Sequence, residues 1–242
     1  MTRVNQGDLG HVGVTGELHS SSESAQATSD HRVLQRSVAK PPDTAQAIAR
    51  RLFDIALAAI ALVVFAVPCV VIAAVVKLTS RGPVFYVQQR VGRRGDLIGV
   101  LKFRSMLDGT HAEVRNDPAY IDNDFKLSPD DPRITRVGRV LRSTSLDELP
   151  QLFNVLRGRM SVVGVRPLLE EELAQRSKDD QDLYRMFRPG ITGLWQVEGR
   201  SSVCKAARVE LDRQYLENWS LWGDIKIAAR TPLALLRTCD AH

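Results

Sequence analysis

Residues 55–76 constrain the fold most strongly, because this run of 22 residues contains no charged side chain. An α-helix of that length would extend about 33 Å, which is enough to cross the hydrocarbon core of a bilayer. No face of the segment is polar, so a helix buried in a soluble core explains the pattern poorly. The sequence therefore predicts that this segment enters a membrane.

Two features of the apolar segment favour a bend and a return over a straight crossing. Pro68 lies past its middle, where the ring removes a backbone hydrogen bond and favours a kink. Basic residues flank both ends, with Arg50 and Arg51 before the segment and Lys77 after it. Because basic residues prefer the cytoplasmic side, such flanks suit a helix that enters and leaves on one face. We expect a re-entrant helix over residues 47–80, bent near Pro68, with a kinked full span as the alternative.

The sequence on either side of this helix divides the rest of the chain into a tail and a domain. Residues 1–46 are rich in Gly, Ser, Thr and charged residues without apolar periodicity, which predicts a disordered tail. Residues 81–242 alternate short apolar runs with turn signals and charged stretches. They predict a cytosolic domain of the α/β class, irregular and helix-rich, with amphipathic helices that lie along the membrane interface.

Within this domain the local patterns predict individual elements. Two extended stretches at residues 82–92 and 97–106 are joined by a turn at residues 93–96. The later elements, in chain order, are a loop with a short helix (107–132), a helix (133–142), a short buried strand (160–164), an amphipathic helix pair (168–187), a turn-rich loop (188–200) and a mostly helical end (203–237). In the last of these, Tyr215, Trp219 and Trp222 suit either a membrane interface or a core.

The net charge and the residue counts limit which partners and mechanisms the chain can have. The net charge of +5 favours phosphate-rich partners such as anionic lipid, a nucleotide or nucleic acid. The three cysteines are scattered and odd in number, so neither a disulfide framework nor a zinc cluster is indicated. Four of the five histidines lie near the two ends, which disfavours a mechanism built on histidine. A nucleic-acid-binding module is also disfavoured, because no recognition motif is present and the apolar segment would have no role.

Asp147 and Glu148 form an acidic pair ahead of an apolar run, within Ser-Leu-Asp-Glu-Leu-Pro-Gln at residues 145–151. One interpretation is a capping box, in which Ser145 caps a helix and Glu148 reaches back to its amide. The other is a carboxylate held at a helix N-terminus as the nucleophile for a diphosphate, with a metal ion or arginines to offset charge. Adjacent helical residues point about 100° apart, so an opposed glycosidase-type pair is disfavoured. The residues alone leave the first two interpretations open.

Five blocks in a fixed order identify a resemblance. They are the apolar segment, Lys-Phe-Arg-Ser-Met (102–106), the acidic block (145–151), Gly-Val-Arg-Pro (164–167) and Arg-Pro-Gly-Ile-Thr-Gly (188–193). From about Arg50 to its end, roughly four fifths of its length, the chain resembles the bacterial sugar transferases, which are also called monotopic phosphoglycosyl transferases.

The resemblance implies a reaction with a covalent intermediate. Asp147 would attack the β-phosphate of a UDP-hexose and expel UMP, and undecaprenyl phosphate would then accept the sugar phosphate. Glu148 would be the partner acid, with Mg²⁺ held near Asp147. Arg142 and Arg200 match phosphate-contacting positions of the family, and Arg166 matches the arginine of its block. Lys102 and Arg104 are the basic residues that the second extended stretch would bring to the same ligand.

The resemblance also implies a setting and a substrate class. Members work on the cytoplasmic face of the bacterial inner membrane, in contact with its lipid, and a homodimer is left open. The sequence at residues 193–197 and 218–222 is most similar to that of hexose-1-phosphate transferases of exopolysaccharide and O-antigen synthesis. Galactose is the favoured sugar and glucose the next. The family usually has Pro where this chain has Val165, an acidic residue where it has Arg159, and Ser where it has Val67. These departures motivate the alternative of a catalytically decayed, membrane-anchored scaffold that binds UDP-sugar or partner enzymes.

Overall fold

A computed structural model describes residues 42–123, 125, 127–199 and 204–239. The described elements form a helix-rich α/β domain with two small sheets, as the sequence predicts. In chain order they are α1 (Thr44–Val64), α2 (Ala66–Thr79), β1 (Phe85–Val91), β2 (Leu97–Phe103), α3 (His111–Arg115), α4 (Pro118–Asp122), α5 (Arg136–Ser143), α6 (Gln151–Leu156), β3 (Ser161–Val163), α7 (Glu170–Ala174), α8 (Lys178–Met186), β4 (Gly190–Thr192), α9 (Leu194–Glu198), α10 (Lys205–Glu217) and α11 (Leu221–Cys239). Most of the predicted tail lies outside the described residues.

Helices α1 and α2 carry the apolar segment and meet at a bend of 62°. The break falls at Phe65, three residues before Pro68, which lies in the first turn of α2. The proline ring cannot donate a hydrogen bond to the carbonyl of Val64 and would clash with it in a continuous helix, which explains the position of the break. Among the described helices no single one is long and apolar enough to cross a bilayer, whereas this bent pair meets both criteria together.

The first half of α1 is anchored in the domain through buried polar groups. The Asp54 carboxylate accepts hydrogen bonds from Ser161 Oγ at 2.7 Å and from the backbone N–H of Val162 at 2.8 Å. Arg50 forms an ion pair with Asp224 at 3.2 Å and donates to the carbonyl of Val163 at 2.8 Å. Buried charges are tolerated only when they are paired in this way. The basic flank before the apolar segment therefore serves the fold as well as any membrane orientation.

The far end of the bent pair contacts the same domain. Arg104 donates from Nη2 to the carbonyl and the hydroxyl of Ser80, at 2.8 and 2.7 Å. Val76 in α2 packs with Phe103 and Leu141 in one buried apolar cluster. Both ends of the pair are thus fixed to one globular body, while its bent tip exposes large apolar side chains (Val63, Val64, Val67, Val70).

Strands β1 and β2 form the predicted hairpin, antiparallel, with Tyr86 opposite Lys102. The connection is a 3₁₀ turn in which Arg94 has φ 64° and Gly95 has φ 85°. These left-handed conformations reverse the chain within a few residues. Both the two extended stretches and the turn at residues 93–96 are confirmed.

The second sheet pairs β3 with β4 in parallel. The buried strand predicted at residues 160–164 is confirmed, but the turn-rich loop predicted at residues 188–200 is wrong, since this stretch contains β4 and α9. Its glycines serve close packing: a Cβ on Gly190 would lie 2.1 Å from the backbone nitrogen of Gly164. Val165, which replaces a proline in the family pattern, is accommodated in the main core.

The remaining helices surround this core largely as predicted. The amphipathic pair appears as α7 and α8, and the helical end as α10 and α11, while residues 107–132 hold the two short helices α3 and α4. The C-terminal aromatics differ in burial, and the predicted core role is confirmed for Tyr215. Tyr215 is buried and Trp219 donates to Asp224 at 3.0 Å, whereas Trp222 is 63% exposed beside Lys226.

Candidate active site

Helix α5 approaches the segment that follows β2 closely because residue 138 is glycine. A Cβ at Gly138 would lie 1.8 Å from the carbonyl oxygen of Ser105, so any larger residue would push the helix away. Thr135 caps the helix by accepting from the Gly138 N–H at 2.9 Å. This packing directs Arg142, in the last turn of α5, toward the hairpin and the acidic pair.

The acidic pair lies in a 3₁₀ turn (Leu146–Glu148) that follows directly on Ser145 in the left-handed conformation, φ 59°. A non-glycine residue pays a conformational cost there, which is a feature common at functional sites. The capping-box interpretation is wrong: Ser145 makes no side-chain capping bond, and Glu148 instead accepts from Lys102 Nζ at 2.9 Å. The ammonium group of Lys102 on β2 offers Glu148 a full positive charge, which a backbone amide does not.

A cavity of about 630 Å³ opens in front of this turn. Its volume suits a ligand of nucleotide size. Asp147 and Glu148 lie on its wall. The cationic residues that line it are Arg90, Lys102, Arg115, Arg142 and Arg166. Toward α4 the lining becomes aromatic and apolar, with Tyr86, Tyr120 and Phe125. The cavity therefore combines a cationic region with an aromatic and apolar region. A nucleoside diphosphate derivative would require both.

The structure brings five of the seven predicted site residues together in this cavity, namely Lys102, Arg142, Asp147, Glu148 and Arg166. Arg104 does not line it; it follows the last residue of β2, and its buried side chain is directed to the end of α2. The predicted phosphate contact of Arg104 thus becomes a contact that fixes the bent helix pair. Arg200 lies outside the described residues.

The two acids differ in protonation. Burial raises the pKa of Asp147 to about 6, assisted by the charge of Glu148 and opposed by Lys102 and Arg142. Burial also raises the pKa of Glu148, but the charge and hydrogen bond of Lys102, together with the charges of Arg166 and Arg90, leave that pKa below its usual value. Glu148 is therefore a stable anion paired with Lys102, whereas Asp147 is the member whose charge depends on pH near neutrality.

The carboxylates fit Mg²⁺ only as an ion shared with a ligand. Within the described ranges, no group of three or more His, Cys, Asp or Glu side chains is arranged to hold a metal ion. Proteins commonly bind Mg²⁺ through one or two carboxylates together with phosphate oxygens of the substrate. Asp147, with Glu148 beside it, supplies such a partial donor set on the cavity wall.

Several lining residues were missed from the sequence. Tyr86 and Gln88 on β1 face the cavity, and Arg115 on α3 reaches it while paired with Glu171. The hairpin register offered a signal for the first two, because Tyr86 is the cross-strand neighbour of Lys102 and Gln88 follows at the two-residue period of a strand. No signal in the sequence indicated Arg115, because its position depends on how residues 107–132 fold over the hairpin.

The cavity thus places a buried carboxylate among arginine side chains, an arrangement that suits a phosphorylated ligand. The chain belongs to the bacterial sugar transferase family, whose family model matches residues 45–238. It is 46% identical over 200 residues to the undecaprenyl-phosphate galactose phosphotransferase of Salmonella typhimurium, a match that covers 80% of this chain and 41% of that protein.

Two further relatives show the range of the family. The exopolysaccharide production protein ExoY of Rhizobium meliloti is 42% identical over 197 residues, covering 76% of this chain and 84% of that protein. The undecaprenyl-phosphate glucose phosphotransferase of Komagataeibacter xylinus is 38% identical over 207 residues, covering 81% of this chain and 36% of that protein. The chain thus spans less than half of some relatives and most of another.

Proposed function

We propose that this protein transfers hexose-1-phosphate from a UDP-hexose to undecaprenyl phosphate and releases UMP. Galactose is the favoured sugar and glucose the next, in line with the names of the Salmonella and Komagataeibacter relatives. The product would begin the synthesis of an exopolysaccharide or another surface glycan. The observation that carries the proposal is Asp147, 7% exposed, in a cavity that five cationic side chains also line.

The proposed reaction has two displacements at the same phosphorus atom. In the first, the ionised Asp147 carboxylate forms a bond to the β-phosphorus, the bond to the bridging oxygen breaks, and UMP leaves with that electron pair. In the second, an oxygen of undecaprenyl phosphate attacks the phosphorus and the aspartyl oxygen leaves, which regenerates the carboxylate. No water is consumed in either step.

The surrounding cations lower the barrier by offsetting charge on the phosphates. Arg142 and Arg166 reach the cavity as guanidinium groups, which bind phosphate through paired N–H donors. Lys102 already forms an ion pair with Glu148, so Glu148 holds the lysine in place beside Asp147. Asp147, with Glu148 beside it, would hold Mg²⁺, which would supply further positive charge to offset the phosphates.

The attachment of the helix pair supports a location of this chemistry at the lipid. Arg50 and Asp54 fix the start of α1 to the domain, and Ser80 fixes the end of α2 to Arg104 of the same domain. A straight crossing would place these two ends on opposite sides of a bilayer, so the attachment of both supports a re-entrant pair. We infer insertion of the bent tip into the bacterial inner membrane, with the domain on its cytoplasmic face.

The proposal is tested by UMP release from a panel of UDP-sugars, with purified protein, undecaprenyl phosphate and Mg²⁺. We expect UDP-galactose to give the fastest release, UDP-glucose the next, and no release when undecaprenyl phosphate and protein are both omitted. Binding of UDP-sugar without UMP release from any member of the panel would contradict the proposal and favour the scaffold alternative.

The pH dependence of the reaction should follow Asp147. Since the attacking group is the ionised carboxylate and its pKa is about 6, kcat/KM for the UDP-sugar should fall as pH decreases through about 6. Lys102 lowers this pKa and Glu148 raises it. Lys102→Met should therefore move the acid limb to higher pH, and Glu148→Gln should move it to lower pH. A profile that stays flat to pH 5 in all three proteins would exclude Asp147 as the titrating nucleophile.

A further inference from the structure

A second group of cations lies outside the cavity, around Gly158 at the end of α6. Arg51 donates from its two Nη atoms to the carbonyls of Val155 and Leu156, at 2.6 and 2.8 Å. Arg188 donates from Nε to the carbonyl of Gly158 at 2.8 Å. We call the group the Gly158 arginine cluster; its members are Arg51, Arg93, Arg157, Arg159 and Arg188.

The charges of this cluster are not balanced by acids. Its described hydrogen bonds end on backbone carbonyls, including that of Arg93 to Met186 at 3.1 Å. In the part of the chain that the structure describes, no carboxylate lies within ion-pair distance of any member. Burial, then the charges of Arg93 and Arg51, lower the pKa of Arg188. The charge of Asp54 raises the pKa of Arg188. Asp54 is buried, however, and its carboxylate already accepts hydrogen bonds from Ser161 and Val162.

The cluster lies beside an apolar stripe. The outer face of α1 exposes Ile48, Leu52, Ile55 and Val63, and Leu52 directly follows Arg51 in the chain. From Arg51 to Val64 a helix rises about 20 Å, which matches the distance of roughly 20–22 Å from the midplane of a bilayer to the outside of its headgroups. If the tip of the bent pair reaches the midplane, the cluster lies at the level of the headgroups.

We propose that the Gly158 arginine cluster binds the phosphates of anionic phospholipid headgroups. Exposed Arg157 and Arg159 supply the outer guanidinium groups, and Arg51 and Arg188 are held behind them by backbone carbonyls. Arginines beside an apolar stripe bind anionic bilayers through charge and buried area together. The proposal rests on the membrane insertion in the proposed function, but not on the transfer reaction, because no member of the cluster lines the cavity.

The test compares lipid binding to the full chain in detergent, with dioctanoyl phosphatidylglycerol and dioctanoyl phosphatidylcholine as probes. Binding is followed by native mass spectrometry and by the rise in melting temperature. The double variant Arg157→Gln/Arg159→Gln removes two exposed charges of the cluster. The matched control Lys178→Gln/Lys205→Gln removes two exposed charges elsewhere on the domain.

We expect the wild type and the lysine control to prefer phosphatidylglycerol, and the arginine variant to bind it about tenfold more weakly with unchanged binding of phosphatidylcholine. Arg157→Lys/Arg159→Lys should keep most of the preference, which separates charge from a folding defect. An undiminished preference in the glutamine variant would overturn the proposal. Equal stabilisation by inorganic phosphate at the same concentration would also overturn it, because the ligand would then not be lipid. UMP release, measured in the same samples, reports separately on the transfer reaction.

Discussion

Replacement of Asp147 by asparagine is expected to lower the rate of UMP release at least about 1,000-fold, because the variant lacks the attacking carboxylate. Asparagine has nearly the same size and also has an oxygen that can accept hydrogen bonds. The fold and the binding of UDP-sugar should therefore remain close to those of the wild type. Rates are measured with UDP-galactose and undecaprenyl phosphate, and binding by titration calorimetry.

The control for this variant is Asp96→Asn, which changes an exposed aspartate in the hairpin turn. It should retain the wild-type rate within a factor of about two, since surface substitutions of this kind have small effects. Retention of more than a tenth of the activity by Asp147→Asn would exclude a covalent role for this residue. It would point instead to direct attack by the lipid phosphate.

Replacement of Arg50 by methionine is expected to cause the largest loss of stability. The side chains of Arg50 and Asp224 are 7% and 1% exposed, so the substitution leaves a buried carboxylate without its cation. Removing one partner of such a pair costs about 3–5 kcal/mol. For a domain of this size that corresponds to a decrease of about 10 °C in melting temperature, measured by thermal unfolding in detergent.

Two further variants test whether the loss of stability comes from the Arg50–Asp224 ion pair. Asp224→Asn on top of Arg50→Met should recover part of the loss, because the uncompensated charge is then absent and Tyr215 and Trp219 still bond to residue 224. Lys178→Met, which breaks an exposed ion pair with Asp182, should change stability by less than about 1 kcal/mol. Equal effects of Arg50→Met and Lys178→Met would show that the buried network does not anchor α1.

The sequence predicted the elements whose patterns are local. The hairpin followed from two extended stretches with a turn between them, and the buried strand at residues 161–163 from a short, mostly apolar stretch that carries no charge. The bend was expected near Pro68 and lies at Phe65, because the proline disturbs the carbonyl four residues earlier rather than its own position.

The errors concern residues whose partners are distant in the chain. Ser145 and Glu148 fit a capping box by spacing, but the spacing carries no information about Lys102 on the neighbouring strand, which binds Glu148. Arg104 shares a motif with Lys102, but it lies just past the end of β2 and binds Ser80 instead of lining the cavity. Arg50, interpreted as a membrane flank, forms a buried pair with Asp224, 174 residues later. Long-range pairing of charges is therefore what the sequence alone left undetermined.

The most direct measurement of the central claim is the intact mass of the protein after incubation with UDP-galactose and Mg²⁺ in the absence of undecaprenyl phosphate. We expect an increase equal to one hexosyl phosphate, located on the peptide that contains Asp147, and its disappearance when undecaprenyl phosphate is added. Asp147→Asn should show no increase. UMP release that requires undecaprenyl phosphate, without any covalent species on rapid quenching, would contradict the covalent role of Asp147.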